Sequence, residues 1–158
     1  MKVIIIRGLT GAGKTELLNK IVETYNFKKV EADDYKRKKY GTTERFDAVN
    51  DLPEVGKIAK SLVDQGNNVV IEETFTDLKH IDFFKKGFEE FDSHEVTYIY
   101  LKCSLETALK RKKDSVKAST IKSAYKEVTD PIQGQLVYDT DTISTDSILT
   151  DLKRKLFR

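Results

Sequence analysis

The sequence predicts an α/β fold, a parallel sheet of five short strands with helices on both faces. Three observations predict it. Apolar runs rich in Val, Ile and Tyr recur at Lys2–Arg7, Asn67–Glu73 and Val96–Cys103, the pattern of strands covered on both sides. Between them, apolar residues fall at helical spacing. The first run also leads through a glycine-rich octapeptide straight into a helical pattern, so strand, tight loop and helix follow in that order. Strands that alternate with helices through right-handed crossovers lie parallel and are covered on both faces.

The elements follow along the chain. After the first strand, Leu17, Leu18, Ile21, Val22 and Tyr25 mark a helix from Glu16 to Tyr25. Phe27 to Ala32 reads as a second short strand ending in Asp33-Asp34-Tyr35, followed by the basic run Lys36-Arg37-Lys38-Lys39-Tyr40 and Gly41. A helix is expected from Pro53, a first-turn residue, to Gln65, with Gly66 as its stop. The third strand, Asn67 to Glu73, ends in two carboxylates. Leu78, Ile81, Phe84, Phe88 and Phe91 give a helix over Asp77–Phe91, and Val96 to Cys103 is the fourth strand. Ser104 caps a helix running to Arg111, a polar and basic connection covers residues 112–119, and a further helix runs from Thr120 to Val128, with Asp130-Pro131 as its breaker. Gln135 to Asp139 is the fifth strand, and Ser144 to Phe157 the closing helix.

The octapeptide Gly8-Leu9-Thr10-Gly11-Ala12-Gly13-Lys14-Thr15 matches the phosphate-binding pattern G-x-x-x-x-G-K-[ST] at every fixed position. At average residue frequencies those four positions coincide by chance in roughly half a percent of chains this long. Glycines let backbone N–H groups turn in around phosphate oxygens, and the first turn of the helix adds the positive end of its dipole. Lys14 is expected to reach the β- and γ-phosphates of a nucleotide and the Thr15 hydroxyl to hold Mg²⁺. Ligands in open α/β sheets gather at the carboxyl ends of the strands, so Asp33, Asp34, Glu72 and Glu73 are expected on the same rim as this loop.

Composition narrows the rest. A 158-residue chain with 39% hydrophobic and 34% charged residues is expected to form one domain spanning 1–158. No apolar run approaches a membrane span, and Val3 to Ile6 is too short for a secretory segment; the expectation is a cytoplasmic protein with no membrane partner. Cys103 is the single cysteine, expected as a buried thiol, and with two histidines it leaves no zinc pattern. A formal charge of +2 gives no strong overall field, so affinity for nucleic acid would have to come from local clusters such as Lys36 to Lys39, a run that could equally be the exposed face of a short helix. Monomer and dimer both stay open.

With Gly8 to Thr15, Glu31-Ala32-Asp33-Asp34-Tyr35-Lys36, Val69 to Thr74, and Ala108 to Lys126 with its Lys-Arg and Ala-Tyr-Lys elements, the chain resembles the small P-loop kinases, most closely the 5′-hydroxyl polynucleotide kinase domain and toxin-like kinases. The resemblance implies a P-loop NTPase fold with a small helical lid over about 111–119 and γ-phosphoryl transfer from Mg·ATP to a hydroxyl. Acceptors in view are a nucleic-acid 5′ end, a nucleotide or a small metabolite. By position it gives Asp33 the role of acceptor-side base with Asp34 beside it in acceptor binding, and Glu73, before Glu72, the place of a second carboxylate, near the metal or on an acceptor hydroxyl; Lys36, by its charge, would receive an anionic acceptor. Arg111 matches the first basic residue of the lid, which flanks the adenine and serves catalysis, and Thr140 would line the base. The second lid arginine has no counterpart, so Lys112, Lys113 or Lys117 would replace it. No guanine-reading N-K-x-D sequence is present, which disfavours a GTPase. A regulatory ATP-binding or ATPase module and a toxin-like sugar-nucleotide kinase are the competing readings.

Overall fold

The computed structural model describes residues 1–128, 131 and 134–157. Five strands, β1 (Lys2–Gly8), β2 (Lys28–Glu31), β3 (Val69–Glu72), β4 (Glu95–Lys102) and β5 (Leu136–Asp139), form one sheet in the order β2-β3-β1-β4-β5. Every pairing is parallel, as expected. Seven helices among the described residues connect them: α1 (Lys14–Tyr25), α2 (Ala32–Tyr40), α3 (Ala48–Asp64), α4 (Lys79–Gly87), α5 (Leu105–Lys112), α6 (Ala118–Glu127) and α7 (Thr145–Leu156).

The alternation of β1 builds both cores. Ile4 and Ile6 pack on one face with Leu17, Leu18 and Ile21 of α1 and Ile148 and Leu152 of α7. Val3 and Ile5 pack on the other with Leu52, Val55 and Ala59 of α3 and Phe84 of α4. Full burial of each such aliphatic side chain stabilises by about 1.5–3 kcal/mol, which is why the central strand carries no exposed face. Ser104 caps α5 as expected and Ser144 caps α7, each accepting a bond from the backbone N–H three residues on. No helix among the described residues is long and apolar enough to cross a membrane.

Three elements differ from their sequence pattern. The segment Ala32–Tyr40 is a helix, hidden because its buried face consists only of Ala32 and Lys36 beside half-buried Tyr35 and Tyr40. Helix α3 begins five residues before Pro53, since Asp47 caps it by accepting from the Asn50 N–H at 3.3 Å; Pro53 then lies inside the helix. The predicted Asp77–Phe91 helix stops at Gly87, and Glu90 turns the chain through a left-handed residue (φ 60) into a 3₁₀ turn at Phe91–Ser93. Phe84, Phe88 and Phe91 still meet edge-on or tilted, with centroids 5.2–6.1 Å apart, so the turn reproduces the apolar spacing of a helix. Asp130 of the expected Asp130-Pro131 breaker lies outside the described residues.

Helices α3 and α4 cross at glycine. A Cβ on Gly87 would sit 1.7 Å from the Pro53 carbonyl oxygen, and one on Gly56 would sit 2.2 Å from the Phe84 carbonyl oxygen. Because both obstacles are backbone, Gly87→Ala or Gly56→Ala should destabilise by at least about 1–3 kcal/mol, whereas exposed Lys57→Ala should change stability by less than about 0.5 kcal/mol. Urea unfolding measures the difference. A Gly87→Ala protein as stable as Lys57→Ala would show that the two helices can separate freely.

Candidate functional site

Strand β1 ends at Gly8, where the chain must pass close to β4: a Cβ there would lie 2.1 Å from the Leu101 carbonyl oxygen. The loop then closes on itself through the Ala12 N–H, which donates to the Leu9 carbonyl at 3.1 Å. Gly13 enters α1 with φ 93, a conformation that side-chain-bearing residues avoid, and a Cβ on it would point into open space. The first turn of α1 therefore presents its N-terminal amides to a cavity of about 650 Å³, within the usual range for small-ligand sites.

The cavity has two halves. On the loop side, Lys14 is buried, and its ammonium donates to the Leu9 carbonyl at 2.9 Å. Burial pushes its pKa below the ordinary lysine value, a shift partly offset by Glu72, Glu73 and Asp33. The Thr15 hydroxyl faces the Glu72 carboxylate at 3.0 and 3.1 Å. Burial raises the pKa of Glu72, against the opposing pull of Lys14 and Thr15. On the far side stand Glu31, Asp33, Arg37, Glu73 and Thr74.

Of the two carboxylates expected near the metal, Glu73 before Glu72, it is Glu72 that meets Thr15. Glu73 turns away, accepting from the Thr74 N–H at 2.9 Å and from Lys36 at 3.1 Å. Parallel register accounts for this: Glu72 lies opposite Ile6 as the last paired residue of β3, and Glu73 is the first residue beyond the sheet. Lys36, expected to meet an acceptor, is only 7% exposed and bridges Asp33 and Glu73, each at 3.1 Å, with its ammonium 4.1 Å from the Phe46 ring centre. Burial works against its charge, but Glu73 and Asp33 outweigh that and raise its pKa. Asp34 holds Arg37 at 3.0 Å.

Arg111 and Thr140 meet, though they are 29 residues apart. The guanidinium donates to the Gly11 carbonyl at 3.0 Å, to the Thr140 hydroxyl at 3.0 Å and to the Thr140 carbonyl at 2.9 Å. Thr140 Oγ1 also lies 3.0 Å from the Ala12 carbonyl oxygen. The end of α5 and the exit of β5 thus clamp the outside of the loop. Lys112, next in α5, faces the cavity with Arg111, whereas Lys113 and Lys117 are not among its walls. Cys103 is buried as expected, and burial raises its thiol pKa.

Of the cavity walls, Arg37 belongs to the basic run Lys36 to Lys39, whereas Glu31 and a buried support behind α2 carry no distinct signal in the sequence. Asp51, fully buried in α3, accepts from Lys39 at 2.6 Å, from the Tyr40 hydroxyl at 3.0 Å and from the Asp47 N–H at 2.8 Å, and so fixes α2 to α3. Nothing but a carboxylate in an apolar helix pattern could have signalled it. Among the described residues no group of three or more His, Cys, Asp or Glu side chains could hold a metal ion. The pair Thr15 and Glu72 still fits Mg²⁺, which takes one or two protein oxygens and completes its shell with phosphate and water.

Burial alone would raise the Asp51 pKa, but the bonds from Lys39, the Asp47 amide and Tyr40 outweigh it and hold it below the ordinary carboxylate value. Its stabilisation should therefore be present above the unfolded pKa of about 3.9 and disappear as pH falls through the lower folded value. Asp51→Asn should cost about 1–3 kcal/mol at pH 7, and the gap to the parent chain should shrink below pH 4. Unfolding curves across pH 3–7 test this; a gap independent of pH would assign the loss to shape alone.

A family model described as AAA domain matches residues 3–130. No curated protein matches the chain. Among solved structures, an unliganded sugar kinase from Janibacter sp. HTCC2649 aligns over 97% of this chain and 93% of its own, with TM-score 0.75 and 15% identity. The APS kinase of Mycobacterium tuberculosis, in complex with AMPPNP and APS, aligns over 99% and 98% with TM-score 0.75 and 16% identity. A gluconokinase from Sinorhizobium meliloti 1021 aligns over 99% and 95% with TM-score 0.71 and 16% identity. At these identities the likeness is one of fold. The family match spans the loop, the Thr15–Glu72 pair, Asp33 and Arg111, and by it the chain belongs to the AAA domain family.

Proposed function

We propose that the protein is an ATP-dependent kinase that transfers the γ-phosphoryl group to a hydroxyl acceptor. One observation carries the reading: Asp33, at the start of α2, lines the same cavity as Lys14 and Thr15 of the phosphate loop. Phosphoryl transfer needs donor and acceptor oxygens in line, and a carboxylate at the acceptor end can take the hydroxyl proton. The similar sugar kinase, gluconokinase and APS kinase folds support the class without naming the acceptor. A nucleic-acid 5′-hydroxyl, a nucleotide and a small metabolite all meet the chemical requirement.

The residues divide the work. Gly8 to Thr15 hold the phosphates, Lys14 balances charge on the β- and γ-groups, and Arg111 with Thr140 orders the base side while fixing the loop backbone. Thr15 and Glu72 would hold Mg²⁺, which neutralises phosphate charge when bound. Lys112 is the lid cation nearest the phosphates, because it faces the cavity beside Lys14, whose charge it opposes. The lid is the connection from the end of α5 to the start of α6, folded back by the Val116 N–H onto the Lys112 carbonyl at 3.0 Å. Asp33, with Lys36 and Glu73 behind it, accepts the proton.

Transfer from γ-labelled ATP to a panel of hydroxyl compounds tests the reading. Lys14→Ala should abolish most transfer with the fold intact. Asp33→Asn keeps the size of the side chain but removes the proton acceptor, so ATP affinity should persist while transfer falls about 10²-fold or more. ATP hydrolysis with no transfer to any compound would leave a regulatory ATPase module. The two carboxylates of β3 separate in a second assay: Glu72→Gln should raise the Mg²⁺ concentration needed for half-maximal turnover several-fold, and Glu73→Gln should leave it near the parent value. The reverse order would return the metal to Glu73.

A further inference from the structure

We infer that the acceptor is an uncharged polyhydroxyl compound and that anionic acceptors, including phosphate-bearing ones, are disfavoured, because each cation on the acceptor half of the cavity is already held by a carboxylate. This rests on the kinase reading above and names the substrate class for that same site.

The charges of the acceptor half come from the end of β2, helix α2 and the end of β3. Glu31, Asp33 and Glu73 face the cavity. Lys36 is the cation closest to Asp33, yet its ammonium lies midway between Asp33 and Glu73 at 3.1 Å from each, 8% exposed, against the Phe46 ring. An ammonium enclosed in this way and bonded to two carboxylates has no free face for a third anion. Lys29 is taken by Glu31 at 2.8 Å. Arg37, which lines the cavity, is paired through one nitrogen with Asp34 at 3.0 Å on the exposed rim. Of the charged groups that line this half, Glu31, Asp33 and Glu73 stand against Arg37 alone, an excess of negative charge.

The loop half is opposite in kind. Lys14, Arg111 and Lys112 line it, and a triphosphate brings its own anions to those groups. A carboxylate or phosphate on the acceptor would have to enter between those donor phosphates and the Asp33 and Glu73 carboxylates, where like charges at close range oppose binding. Neutral hydroxyls meet no such opposition. They donate to carboxylates, and three carboxylates around one cavity can orient a compound bearing several hydroxyl groups.

Paired acceptors that differ in one charged group test the inference with γ-labelled ATP. Adenosine is compared with adenosine 3′-monophosphate, and methyl glucoside with glucose 1-phosphate; each anionic member keeps a primary hydroxyl. The neutral member of each active pair should show a kcat/KM at least about tenfold higher. In Asp34→Asn, where Arg37 loses its partner, that ratio should fall about threefold, because a charge of the right sign becomes available. Equal or better transfer to the phosphate-bearing members overturns the inference and leaves the kinase reading standing. A ratio unchanged in Asp34→Asn overturns the account in which paired cations set it. Transfer to a 5′-hydroxyl oligonucleotide but to neither neutral compound also overturns the inference and leaves the kinase reading standing, whereas absence of transfer to these and to every compound of the wider panel removes both.

Discussion

The parallel register of β1 against β3 is the constraint on which the site depends. Ile6 stands opposite Glu72, so the strand that delivers the phosphate loop and the strand that delivers the carboxylates end at one level. A shift of one residue would put Glu73 where Glu72 now meets Thr15 and would draw the Glu72 carboxylate into the buried row opposite Ile5. Because β3 is covered on both faces, the cost of that slip is a carboxylate drawn into the apolar layers around Val69, Val70 and Ile71, and this cost holds Glu72 within 3.1 Å of a hydroxyl. Chemistry at the rim is thus positioned by hydrophobic burial several residues away.

Two anchors of different character then hold the walls. Arg111 and Thr140 reach the loop through its backbone carbonyls, so the identity of the loop side chains matters little to that contact. The opposite wall is held through charge. Asp51 ties α2 to α3 by way of Lys39 and Tyr40, and Lys36 ties α2 to the end of β3 by way of Glu73. Both ion pairs place at least one member out of water, where removal of a single partner leaves an uncompensated charge. Helix α2 has little apolar surface of its own, and these polar links do for it what burial does for the other helices.

How much of this was legible in the sequence depends on where the signal lies. The loop could be read because its backbone needs glycine at fixed steps, and the strands because parallel burial demands unbroken apolar runs. Helix α2 was legible only in part, as the exposed face of a short helix over Lys36 to Lys39, because its inward positions are a small residue and a lysine whose burial shows only once Asp33 and Glu73 are known to meet it. The choice between Glu72 and Glu73 depended on a one-residue register that composition does not encode. Arg111 and Thr140 were each legible by resemblance, but their bond was not, since 29 residues and a strand separate them. The Asp77–Phe91 pattern misled for a physical reason: Phe88 and Phe91 reach the same core whether carried by a helix or by a turn.

The crossing of α3 and α4 bears on how this chain can vary. Most core positions tolerate exchange among residues of similar volume, because neighbours can shift to refill the space. Gly56 and Gly87 have no such latitude, since each already touches main chain, and main chain has no smaller alternative. A methyl group gained at either position cannot be answered by a trimmed side chain elsewhere. The pair therefore fixes the separation of two helices with a single permitted residue type at each place, and the wall that α3 supports through Asp51 inherits that fixed distance whatever substitutions accumulate around it.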